Sequence, residues 1–94
     1  MDRQRIDKWL WHARLVRTRS AAAALVAAGH VRIDGRRVTT PAYTVKSGAV
    51  LTLALNAAVK VLKVESFCDR RGGAPQARAL YRDLGAENIG QVAR

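Results

Sequence analysis

Cysteine, histidine, proline and aromatic residues are all scarce in this 94-residue chain: one, two and two of the first three, and an aromatic share of 5%. A lone Cys68 forbids an internal disulfide framework and fits a reducing cytosol, so a cytoplasmic protein is expected. Cys68, His12 and His30 make no convincing soft-metal cluster, and neither a metal nor another cofactor is expected. Long apolar runs are missing too. None reaches the ~18–20 residues of a membrane span, and Met1-Asp2-Arg3-Gln4-Arg5 opens onto a charged, interrupted segment rather than a signal-peptide core. Acidic residues number seven against seventeen Lys and Arg, which leaves a net charge of +10. That excess predicts an anionic partner.

Thirteen of the seventeen basic residues are Arg. The planar guanidinium forks onto phosphate and stacks on bases better than an ammonium does, which favours RNA or DNA over a merely solubilising surface. Residues 1–47 carry a net +7 and residues 48–94 a net +3. Hydrophobic residues make up 49%, but 17 are Ala and only 26 are Val, Ile, Leu, Met, Phe or Trp. The core is therefore thin and the stability modest. No repeat, low-complexity tract or linker divides the chain, so one domain over residues 1–94 is expected, as a monomer.

The periodicity predicts an α+β fold in the order α-α-β-β-β-β-α. Ile6, Trp9, Leu10, Ala13 and Val16 recur at helical spacing and predict a helix over 6–16. Trp9 and Trp11 lie about 160° apart around it, so Trp9 enters the core and Trp11 sits at or near the surface with His12. A second helix, Ala21 to Ala28, is capped by Thr18 or Ser20 and stopped by Gly29. His30 leads into a strand. Val31 and Ile33 alternate with Arg32, and Asp34-Gly35 signals a two-residue hairpin turn into Arg36-Arg37-Val38. Turns at Pro41, Ser47-Gly48 and Asn56-Ala57-Ala58 bound two more strands, Val50–Leu55 and Val59–Val64. Pro75 opens a C-terminal helix with a stripe of Ala77, Leu80, Tyr81 and Leu84, ended by Gly85.

The richest constellation for chemistry runs from Arg5 to Gly35. Unpaired amides at the start of the second helix form an anion site, flanked by Arg17 and Arg19 and supplemented by the Thr18 and Ser20 hydroxyls. Arg14 points from the first helix toward the same place, and Arg5 and Lys8 approach it. Asp7 reads as a helix-start charge or an arginine orienter. Trp11 is either a platform for a base or a lid over thin core. Arg32, Arg36, Arg37 and Lys46 extend the positive surface along the hairpin and the following turn. Arg70, Arg71, Arg78 and Arg82 form a second basic group or a solvated helix face. Cys68 reads as an inert, buried or half-buried thiol.

Taken together, Arg5-Ile6-Asp7-Lys8, Arg14, Arg19-Ser20, Gly29, Val31, Asp34-Gly35 and Val45-Lys46-Ser47-Gly48 resemble the S-four RNA-binding domain, named after ribosomal small-subunit protein four. Residues 5–53 form the S-four-like core, and residues 54–94 add a strand and the C-terminal helix. The runs Trp9-Leu10-Trp11-His12-Ala13-Arg14-Leu15 and Arg70-Arg71, with Ala79-Leu80-Tyr81 beyond, look like the heat-shock protein fifteen subgroup of free-standing S-four proteins. Ala49 stands where the family pattern has an acidic residue, and relatives carry a longer basic tail beyond the position of Arg94. The resemblance implies a non-enzymatic partner of ribosomal RNA on the free large subunit. It also implies a role in handling or recycling stalled subunits that still carry peptidyl-tRNA, with direct contact to that tRNA left open.

An enzyme needs a nucleophile–base pair or paired carboxylates in a pocket. Asp7, Asp34, Asp69, Asp83, Glu65 and Glu87 are scattered without such spacing, and no phosphate-binding glycine loop occurs. Two rival readings remain: a DNA-binding module of helix-turn-helix type, and a protein-interaction adaptor that presents Trp11 and Leu15.

Overall fold

The computed structural model describes residues 2–55 and 58–85. In chain order the first half contains β1 (Arg3–Arg5), α1 (Ile6–His12), α2 (Arg19–Ala27), β2 (Val31–Ile33), β3 (Arg36–Val38) and β4 (Thr44–Lys46). The second half contains β5 (Val50–Leu55), β6 (Ala58–Val64), α3 (Ala74–Arg78) and β7 (Tyr81–Asp83). Five strands make one antiparallel sheet in the order β3-β2-β5-β6-β7, and β1 pairs with β4 in a separate ribbon. The fold is α+β, as the periodicity predicts.

Alternation decides which face of the large sheet is dry. Val31, Ile33, Val38, Leu51, Leu53, Leu62 and Val64 all point inward and are buried. Ile6, Trp9 and Leu10 of α1 and Ala22 and Val26 of α2 join them in one cluster. Trp9 is fully buried, and its Nε1 donates to the Ser66 carbonyl at 3.0 Å. Burying a residue of this size contributes about 3–5 kcal/mol, judged by the cost of truncating it. The Asp34-Gly35 turn has φ values of 52° and 83°, the pair of left-handed residues that a two-residue hairpin requires. Asp34 Oδ1 also accepts the Val50 amide at 3.0 Å, tying the hairpin to β5.

Three parts of the chain depart from the expected elements. α1 stops at His12, because Arg14 takes a left-handed conformation with φ 58° and turns the chain. Leu15 and Val16 therefore reach the core from a loop rather than a helix. Next, β1 and β4 are strands that periodicity did not reveal. Their ribbon leads directly into α1, whose first amides are satisfied by the carbonyls of Tyr43 (2.7 Å, from Ile6) and Pro41 (3.2 Å, from Asp7). This explains why α1 needs no side-chain cap.

The third departure is the C-terminal helix, which is only five residues long. Tyr81 belongs to β7, paired with Val64 of β6, rather than to a helical stripe. Pairing there covers what would otherwise be an open sheet edge along β6. Ala77 and Leu80 are buried as expected. The Asn56-Ala57 turn and the chain from residue 86, including Glu87 and Arg94, lie outside the described residues.

Candidate nucleic-acid interface

The start of α2 is built as expected. Thr18 is the N-cap, with extended backbone, and its Oγ1 accepts the Ala21 amide at 3.0 Å. The amides of Arg19 and Ser20 precede the first intrahelical bond and face outward with the positive end of the helix dipole. Arg17, Arg19 and Ser20 are exposed around them. Arg17 makes no hydrogen bond or ion pair among the described residues.

Asp7 organises the other side of this helix start. Its carboxylate is buried and accepts the Arg5 guanidinium at 3.1 and 3.0 Å and the Lys8 amide at 2.7 Å. Arg19 Nε approaches the same carboxylate at 3.9 Å. The arginine-orienting role read from the sequence is what the geometry shows. Arg5 and Arg19 remain about half exposed, so both retain a hydrated edge. Because the Asp7 carboxylate is buried, these bonds satisfy a charge that would be costly unpaired, and they hold two guanidinium groups in place.

His12 is a correction to the sequence reading. Expected at the surface, it is 1% exposed. Its Nδ1 lies 3.0 Å from the Cys68 carbonyl, which also accepts Gln4 Nε2 at 2.8 Å. These bonds belong to a set that fastens the irregular segment 66–72 onto α1. Trp9 holds the Ser66 carbonyl, Arg14 Nε donates to the Gly72 carbonyl at 2.9 Å, and Arg71 Nε donates to the Trp11 carbonyl at 3.0 Å. A loop packed on a helix has carbonyls with no ladder partner, and these side chains satisfy them. Burial holds the His12 ring below its ordinary pKa, and the nearby charges of Lys8 and Arg19 act the same way; the Cys68 carbonyl and Asp69 oppose them. Cys68 is half-buried, its Sγ 3.0 Å from the Arg70 carbonyl.

Trp11 is half-buried, and the Arg71 guanidinium lies 5.7 Å from its ring centroid. The indole is a platform, but the group stacked on it is an arginine of the chain itself. Leu15 likewise packs against the core. The two residues on which the adaptor reading rested are thus engaged within the molecule. Arg71, left by the sequence in the second basic group, instead stands against α1 and lines the same groove as Arg14 and Arg17. The Arg70-Arg71-Gly72-Gly73 run carried a signal, since paired glycines beside arginines allow close approach to another backbone.

Arg14 and Arg17 meet Arg71 around an open groove of about 650 Å³ floored by Leu15, Val16, Leu25 and Leu55. The remaining candidates lie apart. Arg32 stands directly opposite Arg37 in the β2–β3 register, and with His30 and Thr52 they line a shallow pocket of about 260 Å³. Arg36 is exposed beside them. Lys46 lies in the small ribbon opposite Arg3. Of the twelve candidates, Arg5, Arg14, Arg17, Thr18, Arg19 and Ser20 lie about the α1–α2 turn, Arg32, Arg36 and Arg37 on the hairpin and Lys46 in the ribbon, while Lys8 is half-buried on α1 and Trp11 is covered by Arg71. Among the described residues no cluster of His, Cys, Asp or Glu could hold a metal ion, and no helix is long and apolar enough to cross a membrane.

A sequence profile of the S4 domain matches residues 4–51. Heat shock protein 15 homolog of Haemophilus influenzae is 39% identical over 79 residues, 84% of this chain and 60% of that protein. The chain thus spans about 60% of the length of the curated heat shock protein 15 relatives it matches. Small ribosomal subunit protein uS4 of Listeria monocytogenes is 42% identical over 69 residues, 68% of this chain and 34% of that protein. Among solved structures, Vibrio cholerae heat shock protein 15, described as trimeric, superimposes with a TM-score of 0.84 at 40% identity, covering 96% of this chain and 89% of that one. Helical hairpin, glycine stop and β-hairpin, the profile and the structural match all agree: the chain belongs to the S4-domain family of RNA-binding modules, in its heat shock protein 15 group.

Proposed function

We propose that this chain is a non-enzymatic cytoplasmic protein that binds structured ribosomal RNA of the free large subunit. There it assists recycling or quality control when a stalled nascent chain remains on tRNA. The observation that carries the reading is two pairs of guanidinium groups beside the α1–α2 turn: Arg14 and Arg17 lining the groove, Arg5 and Arg19 on the Asp7 carboxylate. A-form RNA hides its base edges in a deep, narrow groove, so arginines placed in this way read the spacing of phosphates rather than sequence. Arg32, Arg36, Arg37 and Lys46 supply further backbone contacts on a large folded RNA. The protein acts as a monomer in this reading.

A salt titration on a ribosomal RNA helix–loop fragment tests it. Neutralising about five phosphates gives log affinity against log salt a slope of roughly −3.5 to −4.5. A slope near zero contradicts the reading. Duplex DNA competing as well as structured RNA at equal salt would move the protein to the DNA-binding class.

A further inference from the structure

We propose that the groove between the α1–α2 turn, α2, Leu55 and the Arg71 strap receives a single unstacked RNA nucleobase, with Arg14 and Arg17 on its phosphate. The proposal rests on the RNA-binding reading above and adds to it a preference for RNA with an unpaired residue.

A nucleotide out of its stack presents a flat apolar face joined to an anion. The groove presents the complement. Leu15, Val16, Leu25 and Leu55 are only partly buried; they pack on the core from below and line the groove above. Ala21 lies one helical turn before Leu25 on the same face of α2, where its small side chain leaves room for a ring. Among the described residues the charged groups of the lining are Arg14, Arg17 and Arg71, and none is acidic. The volume, about 650 Å³, falls within the roughly 300–1,000 Å³ usual for small-ligand sites.

The rim is also set in advance. Arg14 holds a left-handed backbone (φ 58°), a conformation unfavourable for a residue other than glycine. Its Nε is fastened to the Gly72 carbonyl, and Arg71 Nε to the Trp11 carbonyl, so two arginines are clasped reciprocally across the groove wall. Arg71 also stacks on Trp11, which is not part of the lining. A base laid in the groove would thus meet a guanidinium already backed by an indole. Pre-ordering of this kind lowers the entropic cost of binding. A reader of paired RNA alone would need the arginines but would have no use for the apolar floor. An apolar peptide would need the floor but not three guanidinium groups.

The test uses the full chain and three short RNA hairpins that share one stem. One carries a single bulged adenosine, one an abasic residue at that position, and one is fully paired. The wild-type protein is expected to bind the bulged hairpin roughly 5- to 100-fold more tightly than the abasic one, the range that stacking of one base covers. Leu25→Gln with Leu55→Gln is expected to bring that ratio close to one. Leu25→Met, which keeps an apolar floor, is expected to retain it and guards against a folding defect. Equal wild-type binding to the bulged and abasic hairpins, with salt dependence intact, overturns the groove proposal and leaves the phosphate reading standing. A ratio that survives the Gln pair places the base elsewhere and also overturns it. Failure to bind any of the three hairpins overturns the reading beneath it as well.

Discussion

His12 carries a titratable ring in a place that water does not reach. Burial is the main reason its pKa lies below the ordinary 6.5. In the unfolded chain the ring takes its proton near that ordinary value, while in the folded chain it stays neutral to lower pH. Each step down in pH below about 6.5 therefore favours the unfolded state, until the folded ring protonates too. Stability at neutral pH is unaffected, and the loss lies on the acid side. One proton's difference changes stability by at most about 1.4 kcal/mol per pH unit. Urea unfolding between about pH 7.5 and about pH 5 should show this slope in the wild type and a shallower one in His12→Gln. Equal slopes would mean the ring does not titrate differently on folding. The sequence hid this residue because helical spacing set His12 away from the Ile6, Trp9, Leu10 stripe. Only the folding of segment 66–72 over that side encloses it. Asp7 was legible because its neighbours Arg5 and Lys8 are local; Arg71 was not, because its partner Trp11 lies sixty positions away.

Among the elements, α2 depends most on its ends. Nine residues make a marginal helix in isolation, and here only Ala22 and Val26 are fully packed away. Alanine's helix propensity helps, and the Thr18 cap then becomes a large share of what holds the first turn. Thr18→Ala should lower stability by about 1 kcal/mol, read as a shifted urea midpoint. It should also weaken RNA binding, since a frayed first turn no longer aims its amides. An unchanged midpoint would show that packing alone fixes the helix start. Elements with a clear period were legible: α2, the β2–β3 hairpin, β5 and β6. The ribbon was not, because Arg3-Gln4-Arg5 and Thr44-Val45-Lys46 each bury a single side chain, too little to show alternation. The end of the chain misled for a different reason. Ala77, Leu80, Tyr81 and Leu84 fit a helical stripe, yet pairing of Tyr81 to Asp83 along the open edge of β6 prevails. Local pattern cannot register an unpaired edge elsewhere in the molecule.

At the scale of the whole molecule, the charge excess is divided among surfaces of different character. The α2 start holds guanidinium groups fixed by Asp7, Gly72 and helix geometry. The β2–β3 hairpin places Arg32 opposite Arg37, a repulsive pair that an anion between them would relieve. On β7 Arg82 lies 3.7 Å from Glu65, and Arg78 is exposed at the end of the five-residue α3. Sequence reasoning could place arginines on elements but could not rank these groups, since ranking requires knowing which elements meet. The central claim is that position, and not total charge, makes the α2 start the RNA grip. Two double variants that each remove two positive charges separate these. Arg17→Ala with Arg19→Ala should weaken binding to a ribosomal RNA hairpin about 10- to 100-fold and lower the salt slope by about 1.5–2. Arg78→Ala with Arg82→Ala should cost less than about threefold, through the long-range field alone. Equal losses from the two pairs would contradict the account.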